Sequence, residues 1–333
     1  MRILVTGGAG YIGSHTLIEL LAAGHQVCVV DNFSNSTPDT LRRVQGLSRQ
    51  LFDVMHLDIR DTERLTKVVR NFRPDAVLHF AALKSVPEGE RRPLEYFDVN
   101  VGGTISLLNS IEGSMCRQIV YSSTAAVYGE PENAPVTETQ TVRPCSVYGR
   151  SKYMAEQVIE SWIASSACDV SATLLRYFNP IGAHPSAELS SFRGKDHENL
   201  VPRMMQVAVG SRIELDVYGT DYATPDGSCI RDFIHVVDLA KAHIAALQDR
   251  KPSTGKVRIY NLGTGQGASV LEIVRTFQTL SRKTIPLNLT ARRHGDVAEI
   301  FASSDKAERE LGWRAHHGLE EMLRSGWHAF EHH

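Results

Sequence analysis

Short unbroken apolar runs alternate with amphipathic stretches through the first half of the chain. Ile3-Leu4-Val5-Thr6, Val27 to Val30, Asp53 to Leu57, Ala76 to Phe80, Gln118 to Tyr121 and Ala172 to Tyr177 read as strands. Between them, Tyr11 to Ala23 carries Ile12, Leu17, Leu20 and Leu21 at helical spacing, and Gly24 is placed to stop that helix. Further helices are predicted near 61–72, 94–112 and 147–165. Strands apolar on both faces, alternating with helices, predict an α/β fold with a parallel sheet covered on each side. On such sheets ligands bind beyond the carboxyl ends of the strands.

The pattern changes after Tyr177. Residues 179–197 and 219–229 are rich in Pro, Gly, Ser and Asp and read as loops. Helices near 200–209, 236–248, 270–280 and 304–311 lie among them, and Val257 to Leu262 reads as a strand returning to the sheet. A boundary near 179 therefore divides 1–178 from 179–333, with segments within 231–262 crossing back.

Composition narrows the function classes. Of 333 residues, 42% are hydrophobic and 22% charged, enough for a packed core rather than disorder. Lys plus Arg is 36 against Asp plus Glu 38, so there is no basic surplus for general nucleic-acid binding. No apolar run approaches the roughly 18 residues of a membrane span, and the amino terminus lacks the pattern of a secretory signal. Five cysteines (Cys28, Cys116, Cys145, Cys168 and Cys229) form no C-x-x-C pair, which favours reduced thiols in a cytoplasmic protein over a disulfide framework or a zinc site. The histidines show no metal-ligand spacing, and no function is assigned to the closing Glu331-His332-His333.

Two motifs carry chemistry. Gly7-Gly8-Ala9-Gly10-Tyr11-Ile12-Gly13 joins the first strand to the first helix, and Asp31 ends the next strand. The glycines allow a tight turn and close backbone approach, and the helix N-terminus can hold a pyrophosphate. Asp31 can bind both ribose hydroxyls and repel a 2′-phosphate, which favours NAD over NADP. Asp58 fits beside the adenine or as an N-cap of the 61–72 helix. The second motif is Tyr148-Gly149-Arg150-Ser151-Lys152, with Tyr and Lys one turn apart on a helix face. A neighbouring ammonium lowers a phenol from its usual value of about 10, giving a usable base. Ser122-Ser123-Thr124, at the end of a strand, can meet that phenol over a substrate.

These stretches resemble the extended short-chain dehydrogenase/reductase family and, within it, the UDP-glucose 4-epimerases. The resemblance spans essentially the whole chain. It rests on GGAGYIGSHT at 7–16, DNFSNS at 31–36, HFAALKSV at 79–86, YSSTAAVYG at 121–129, YGRSK at 148–152, RYFNPIGAH at 176–184, YGTDYATPDGSCIRDFIHV at 218–236 and RRHGDVAEIFA at 292–302. A related dehydratase would carry an Asp-Glu pair after Thr124, where Ala125 and Ala126 stand. The resemblance implies a Rossmann-type doubly wound sheet with a smaller C-terminal α/β domain for the UDP-sugar. It implies interconversion of UDP-glucose and UDP-galactose by a homodimer with tightly bound NAD. Hydride passes from sugar C4 to NAD, the 4-keto sugar turns over, and hydride returns to its other face.

Roles follow residue by residue from the same resemblance. Tyr148 would exchange the proton of the 4-hydroxyl, Thr124 would hydrogen-bond that oxygen, and Lys152 would bind the nicotinamide ribose and lower the phenol. Gly7, Gly10, Tyr11, Ile12, Gly13, Asp31, Asn32, Ser36, Asp58, Ile59, Phe80, Ala81, Ala82, Lys84, Asn100, Ser122 and Tyr177 would hold NAD. Lys84, Asn179, Asn199, Leu200, Val217, Tyr218, Arg231, Arg293, Asp296 and Ile300 would contact the UDP-sugar, with Arg231 and Arg293 clamping the pyrophosphate. Plainer readings stand beside these: Asn179 capping a turn, Arg231-Asp232 as a surface pair, Lys84 solvated, Phe80 as core. The chain departs from the family at Thr124, where Ser is frequent, at Val147, where Pro is common, and at Phe233, where Tyr is common. Ile300 stands where the sugar pocket is gated. The competing functions are a 4-epimerase of N-acetylated or pentose UDP-sugars, a net dehydrogenase or dehydratase, and an inactive nucleotide sensor.

Overall fold

The computed structural model describes residues 1–165, 170–189, 199–249, 257–293 and 295–332. Cys168, the end of the 179–197 loop, His294 and His333 lie outside the described residues.

The predicted alternation forms as β1 (Arg2–Thr6), α1 (Tyr11–Ala22), β2 (Gln26–Asp31), α2 (Pro38–Ser48), β3 (Asp53–His56), α3 (Thr62–Phe72) and β4 (Ala76–His79). It continues through α4 (Val86–Arg91), α5 (Pro93–Phe97), α6 (Gly103–Ile111), β5 (Gln118–Thr124), α7 (Val147–Ser165) and β6 (Ser171–Tyr177). α2 and α4 lie where the periodicity pointed to no helix. The 94–112 stretch is not one helix. A π-helical turn at Asp98–Gly102 separates α5 from α6, and such turns re-aim a side chain within a helix. Here it turns Asn100 inward, where its amide receives the Leu83 N–H at 2.8 Å and donates to the Leu83 carbonyl at 2.9 Å.

The remainder holds β7 (Asn179–Ile181), α8 (Leu200–Ala208), β8 (Leu215–Tyr218), β9 (Ile230–His235), α9 (Val236–Gln248), β10 (Val257–Leu262) and β11 (Gly267–Ser269). After these come α10 (Val270–Ser281), β12 (Leu287–Thr290), β13 (Glu299–Ile300), α11 (Asp305–Leu311) and α12 (Leu319–Glu331). The strands β7, β8, β11, β12 and β13 are short and β9 carries no continuous apolar run, so the sequence pattern did not disclose them.

A seven-stranded parallel sheet has the order β10-β6-β5-β4-β1-β2-β3. The order reverses between β1 and β4, which opens the crevice where ligands bind on such sheets. Val257 to Leu262 does return to this sheet, pairing with Ala172 to Tyr177. One apolar core packs α1 and α9 on one face, and a second packs α3, α6 and α7 on the other. The later segments build smaller sheets: β9 pairs with β7, β11 and β13, and β8 with β12. Their own core gathers Met204, Met205, Phe233, Phe277 and Trp327. Among the described residues, no helix is long and apolar enough to cross a membrane.

Candidate active site

The turn after β1 leaves no room for side chains. Gly7 has φ of +72°, and a Cβ there would lie 2.5 Å from the Ala81 nitrogen. At Gly13 a Cβ would lie 2.5 Å from the Gly7 carbonyl oxygen. The loop therefore folds tightly against the end of β4 and starts α1 at Tyr11. Asp31, buried at the end of β2, holds this turn from below. Its carboxylate accepts from Ala9 N and Phe33 N, both at 2.9 Å, and from Ser36 Oγ at 3.1 Å. Asp58 accepts from Asn32 Nδ2 at 2.8 Å and from the Arg60 guanidinium at 2.8–2.9 Å. Those bonds, the arginine's above all, hold its carboxyl well below the ordinary carboxylate range. The N-cap reading of Asp58 is corrected: Asp61 caps α3, accepting from Arg64 N at 3.0 Å.

A cavity of about 1030 Å³ runs from this turn across the carboxyl ends of β1, β4, β5 and β6. Gly7, Gly10, Tyr11, Ile12, Gly13, Asp31, Asn32, Ser36, Asp58, Ile59, Phe80, Ala81, Ala82 and Lys84 line it at one end. A bare-backbone cradle at a helix N-terminus, with a buried carboxylate at the adjacent strand end, fits a dinucleotide. Phe80 both lines the cavity and packs on His243, ring centroids 4.8 Å apart. Tyr11 turns its hydroxyl to the Gly182 carbonyl at 2.6 Å, tying the first helix to the second half of the chain.

Thr124 ends β5, and Tyr148 and Lys152 lie on the first two turns of α7; all three line the same cavity. The register of β5 on β6 sets Thr124 beside Tyr177 and Ser122 beside Leu175. Ser122 and Tyr177 share a hydrogen bond between their hydroxyls. Burial pushes the Tyr148 phenol up to about 12, and a hydrogen bond with Thr124 opposes the rise. The expected lowering of this phenol is thus not present in the protein alone, because desolvation outweighs the Thr124 hydrogen bond. Burial also pushes the Lys152 ammonium down to about 7, opposed by Glu156 one turn further on. That ammonium sits 4.2 Å from the Tyr121 ring centroid.

The other end of the cavity is lined by Asn179, Asn199, Leu200, Tyr218, Arg231, Arg293, Asp296 and Ile300. Both arginines turn toward Asp296. Arg293 Nε lies 3.0 Å from one Asp296 oxygen, and Arg231 Nη2 lies 4.0 Å from the other. Arg293 also covers the Tyr218 ring at 4.4 Å. The surface-pair reading of Arg231-Asp232 is corrected. Asp232 is fully buried and accepts from the backbone of Thr264, Gly265 and Ala302.

Two expected contacts stand outside the cavity lining. Val217 is buried, and its carbonyl accepts from Thr290 Oγ1 at 3.2 Å. Tyr218, the next residue on β8, does line the cavity. Asn100 acts one layer behind, gripping Leu83 and donating to Ser151 Oγ at 2.8 Å. Conversely, Phe178, Cys145 and Glu90 line the cavity although the sequence reading gave them no place in it, and Phe233, whose loss of a hydroxyl left its contact open, lines it as well. Phe233 had a signal in its departure from the family's Tyr, and β9 sets it beside Asn179; Glu90 had none. Among the described residues, no group of three His, Cys, Asp or Glu side chains is placed to hold a metal ion.

Comparison with known proteins agrees with this geometry. Residues 3–263 match the NAD dependent epimerase/dehydratase family. The UDP-glucose 4-epimerase 4 of Oryza sativa subsp. japonica is 50% identical over 328 residues, covering 98% of this chain and 89% of that protein. The crystal structure of the UDP-glucose 4-epimerase from Stenotrophomonas maltophila, with bound NAD and formylated UDP-arabinopyranose, superposes with a TM-score of 0.95. It is 42% identical, with 100% of this chain and 98% of that one covered. The Bifidobacterium longum enzyme, solved with NAD+ and UDP, gives 0.94 at 40% identity, with 100% and 98% covered. Full-length identity at this level, with the glycine turn, Asp31, Thr124, Tyr148 and Lys152 gathered on one cavity, places the chain in the NAD dependent epimerase/dehydratase family, among the UDP-glucose 4-epimerases.

Proposed function

We propose that this protein interconverts UDP-glucose and UDP-galactose. One observation carries the reading: Thr124, Tyr148 and Lys152 face a single cavity that runs from the glycine turn and Asp31 to Arg231, Arg293 and Asp296. The Bifidobacterium longum enzyme is likewise solved in complex with both NAD+ and UDP. NAD, when bound, accepts a hydride from sugar C4 and gives it back.

The residues divide the remaining work. Asp31, with Asn32, Ser36 and Asp58, receives the adenosine end of the cofactor. Arg231 and Arg293 bind the pyrophosphate of the UDP-sugar, drawn from Asp296 when a stronger anion arrives. Thr124 and Tyr148 hold the sugar 4-oxygen, and Tyr148 moves its proton. The charged form of Lys152 stabilises the phenolate against the cost of burial. Ile300 and Phe178 line the cavity and would bound the space in which the sugar turns. Residues 179–333, apart from α9, β10 and α11, which pack on the main sheet, form the UDP-sugar lobe.

A homodimer in the cytoplasm extends this reading. Leu94, Ile105 and Met154 are exposed on α5, α6 and α7, which suits helix pairing with a second copy. Cys28, Cys116, Cys145 and Cys229 are free thiols, in keeping with a reducing compartment.

The decisive experiment incubates purified protein with UDP-galactose and no added NAD. Appearance of UDP-glucose supports an epimerase with retained cofactor. Steady release of NADH would instead identify a net dehydrogenase, and no conversion would return the protein to the sensor reading.

A further inference from the structure

The catalytic helix α7 starts at Val147, one residue before Tyr148. The first N–H groups of a helix have no acceptor within it. Ser146 precedes the helix and receives the Gly149 N–H at 3.0 Å on its hydroxyl, which is ordinary capping. The Val147 N–H is met differently. Glu90, on α4, accepts it with Oε1 at 2.8 Å from 57 residues away in sequence. A carboxylate there also suits the positive end of the helix.

The element that carries Glu90 is itself held. Ser85 caps α4 and its carbonyl receives the Tyr96 hydroxyl at 2.6 Å. Gly89 lies so close to the Tyr96 ring that a Cβ would stand 3.2 Å from it. Leu83, just before, is gripped by Asn100, which donates to Ser151 on α7. The wall from Leu83 to Glu90 is therefore tied to α7 twice, at Ser151 and at Val147, and Tyr148 lies between the ties. Lys84, Ser85, Val86, Pro87 and Glu90 all line the cavity.

We propose that Glu90 is a positioning residue for the reaction: by accepting the Val147 N–H it fixes the first turn of α7 and so the place of the Tyr148 oxygen relative to the sugar wall. This rests on the reading of Tyr148 as the group that moves the proton. Glu90 does not touch the reacting atoms; it acts through the helix. A proline at position 147 would have no N–H to satisfy and suits the first helical position, so it should make Glu90 dispensable.

The test compares wild type, Glu90→Ala, Glu90→Gln, Val147→Pro and the Glu90→Ala/Val147→Pro double variant in epimerisation of UDP-galactose. Bound NAD is quantified after denaturation. Glu90→Ala should lower kcat about fivefold, with KM and NAD content within about twofold of wild type, since only the geometry of the phenol loosens. Glu90→Gln keeps an acceptor and should keep more than about half of kcat. In the Val147→Pro background, adding Glu90→Ala should change kcat by less than about 1.5-fold. An unchanged kcat in Glu90→Ala, or an equal loss in both backgrounds, overturns the proposal. Amide exchange decides the matter even if Val147→Pro is inactive. The Val147 amide should exchange at least about tenfold faster in Glu90→Ala, with the Ile159 amide unchanged; equal exchange at Val147 overturns the proposal. Failure of wild type to convert UDP-galactose would count against the proposed reaction, and the exchange comparison would still judge Glu90.

Discussion

Arg176 grips Glu156 at two points behind the site, Nε to Oε1 at 3.0 Å and Nη2 to Oε2 at 2.6 Å, with side chains only 3% and 1% exposed. Ser123 donates to the same carboxylate, and Arg176 also reaches the Tyr128 hydroxyl at 3.2 Å. The pair thus locks β5, β6 and α7 together one residue away from Thr124 and Tyr177 and one turn away from Lys152. Breaking a buried pair leaves a stranded charge, so Arg176→Met should cost about 3–5 kcal/mol of stability. An Arg176→Met/Glu156→Leu double variant should recover most of that in urea unfolding. A double variant no more stable than the single one would show that the pair acts through shape alone.

Tyr148→Phe removes the oxygen that moves the proton and little else. Its kcat should fall by about 10²–10⁴, with bound NAD unchanged on denaturation. Activity near wild type would reassign the proton to another group.

The lowered ammonium of Lys152 has a thermodynamic signature. Its value is about 7 in the folded protein against 10.5 for an unburied lysine. Between those values the unfolded chain holds the proton more tightly, so this group makes stability rise with pH across that window. Lys152→Met should abolish that contribution, flattening the rise in unfolding free energy measured from about pH 7 to about pH 9. An equal rise in both proteins would mean that Lys152 stays charged throughout.

Burial lowers four histidines, His15 and His79 to about 3 and His235 and His243 to about 4, from 6.5. The unfolded chain therefore takes up protons below about 6.5 that the folded protein refuses. Stability present above that value should be lost progressively as pH falls toward about 4, each histidine contributing up to about 1.4 kcal/mol per pH unit. Calorimetric unfolding at about pH 5.5, in buffers of different ionisation enthalpy, should report net proton uptake. Proton release at that pH would contradict the burial of these rings.

Ile300 is buried, lines the cavity and pairs with Arg231 through β13 and β9. Being β-branched, it cannot easily rotate aside. Ile300→Tyr should suppress use of N-acetylated UDP-sugars while sparing the plain hexoses, and Ile300→Ser should raise it. The shift in the ratio of kcat/KM should correspond to about 1–3 kcal/mol. A ratio insensitive to side-chain volume would remove Ile300 from the sugar pocket.

The main sheet was legible in the residues because most of its strands are buried on both faces and so appear as continuous apolar runs, such as Ile3-Leu4-Val5 and Leu174-Leu175, the exposed edge strand β3 being the exception. The glycine turn, Asp31 and the Tyr148–Lys152 spacing were legible for a related reason: each is a local constraint, written in consecutive residues or one helical turn. The strands β7, β9 and β13 were not: β7 and β13 are short, β9 has its apolar residues interrupted by Arg231 and Asp232, and all three pair with partners far along the chain. The π-helical turn at Asp98–Gly102 was hidden as well, since its Asn100 is engaged by Leu83, a partner 17 residues away. Likewise nothing in the sequence separates Val217, buried away from the cavity, from Tyr218, which lines it. The charge states of Tyr148 and Lys152 were decided last. The sequence placed a cation one turn from a phenol, but desolvation depends on everything packed around both, and only the tertiary structure sets that.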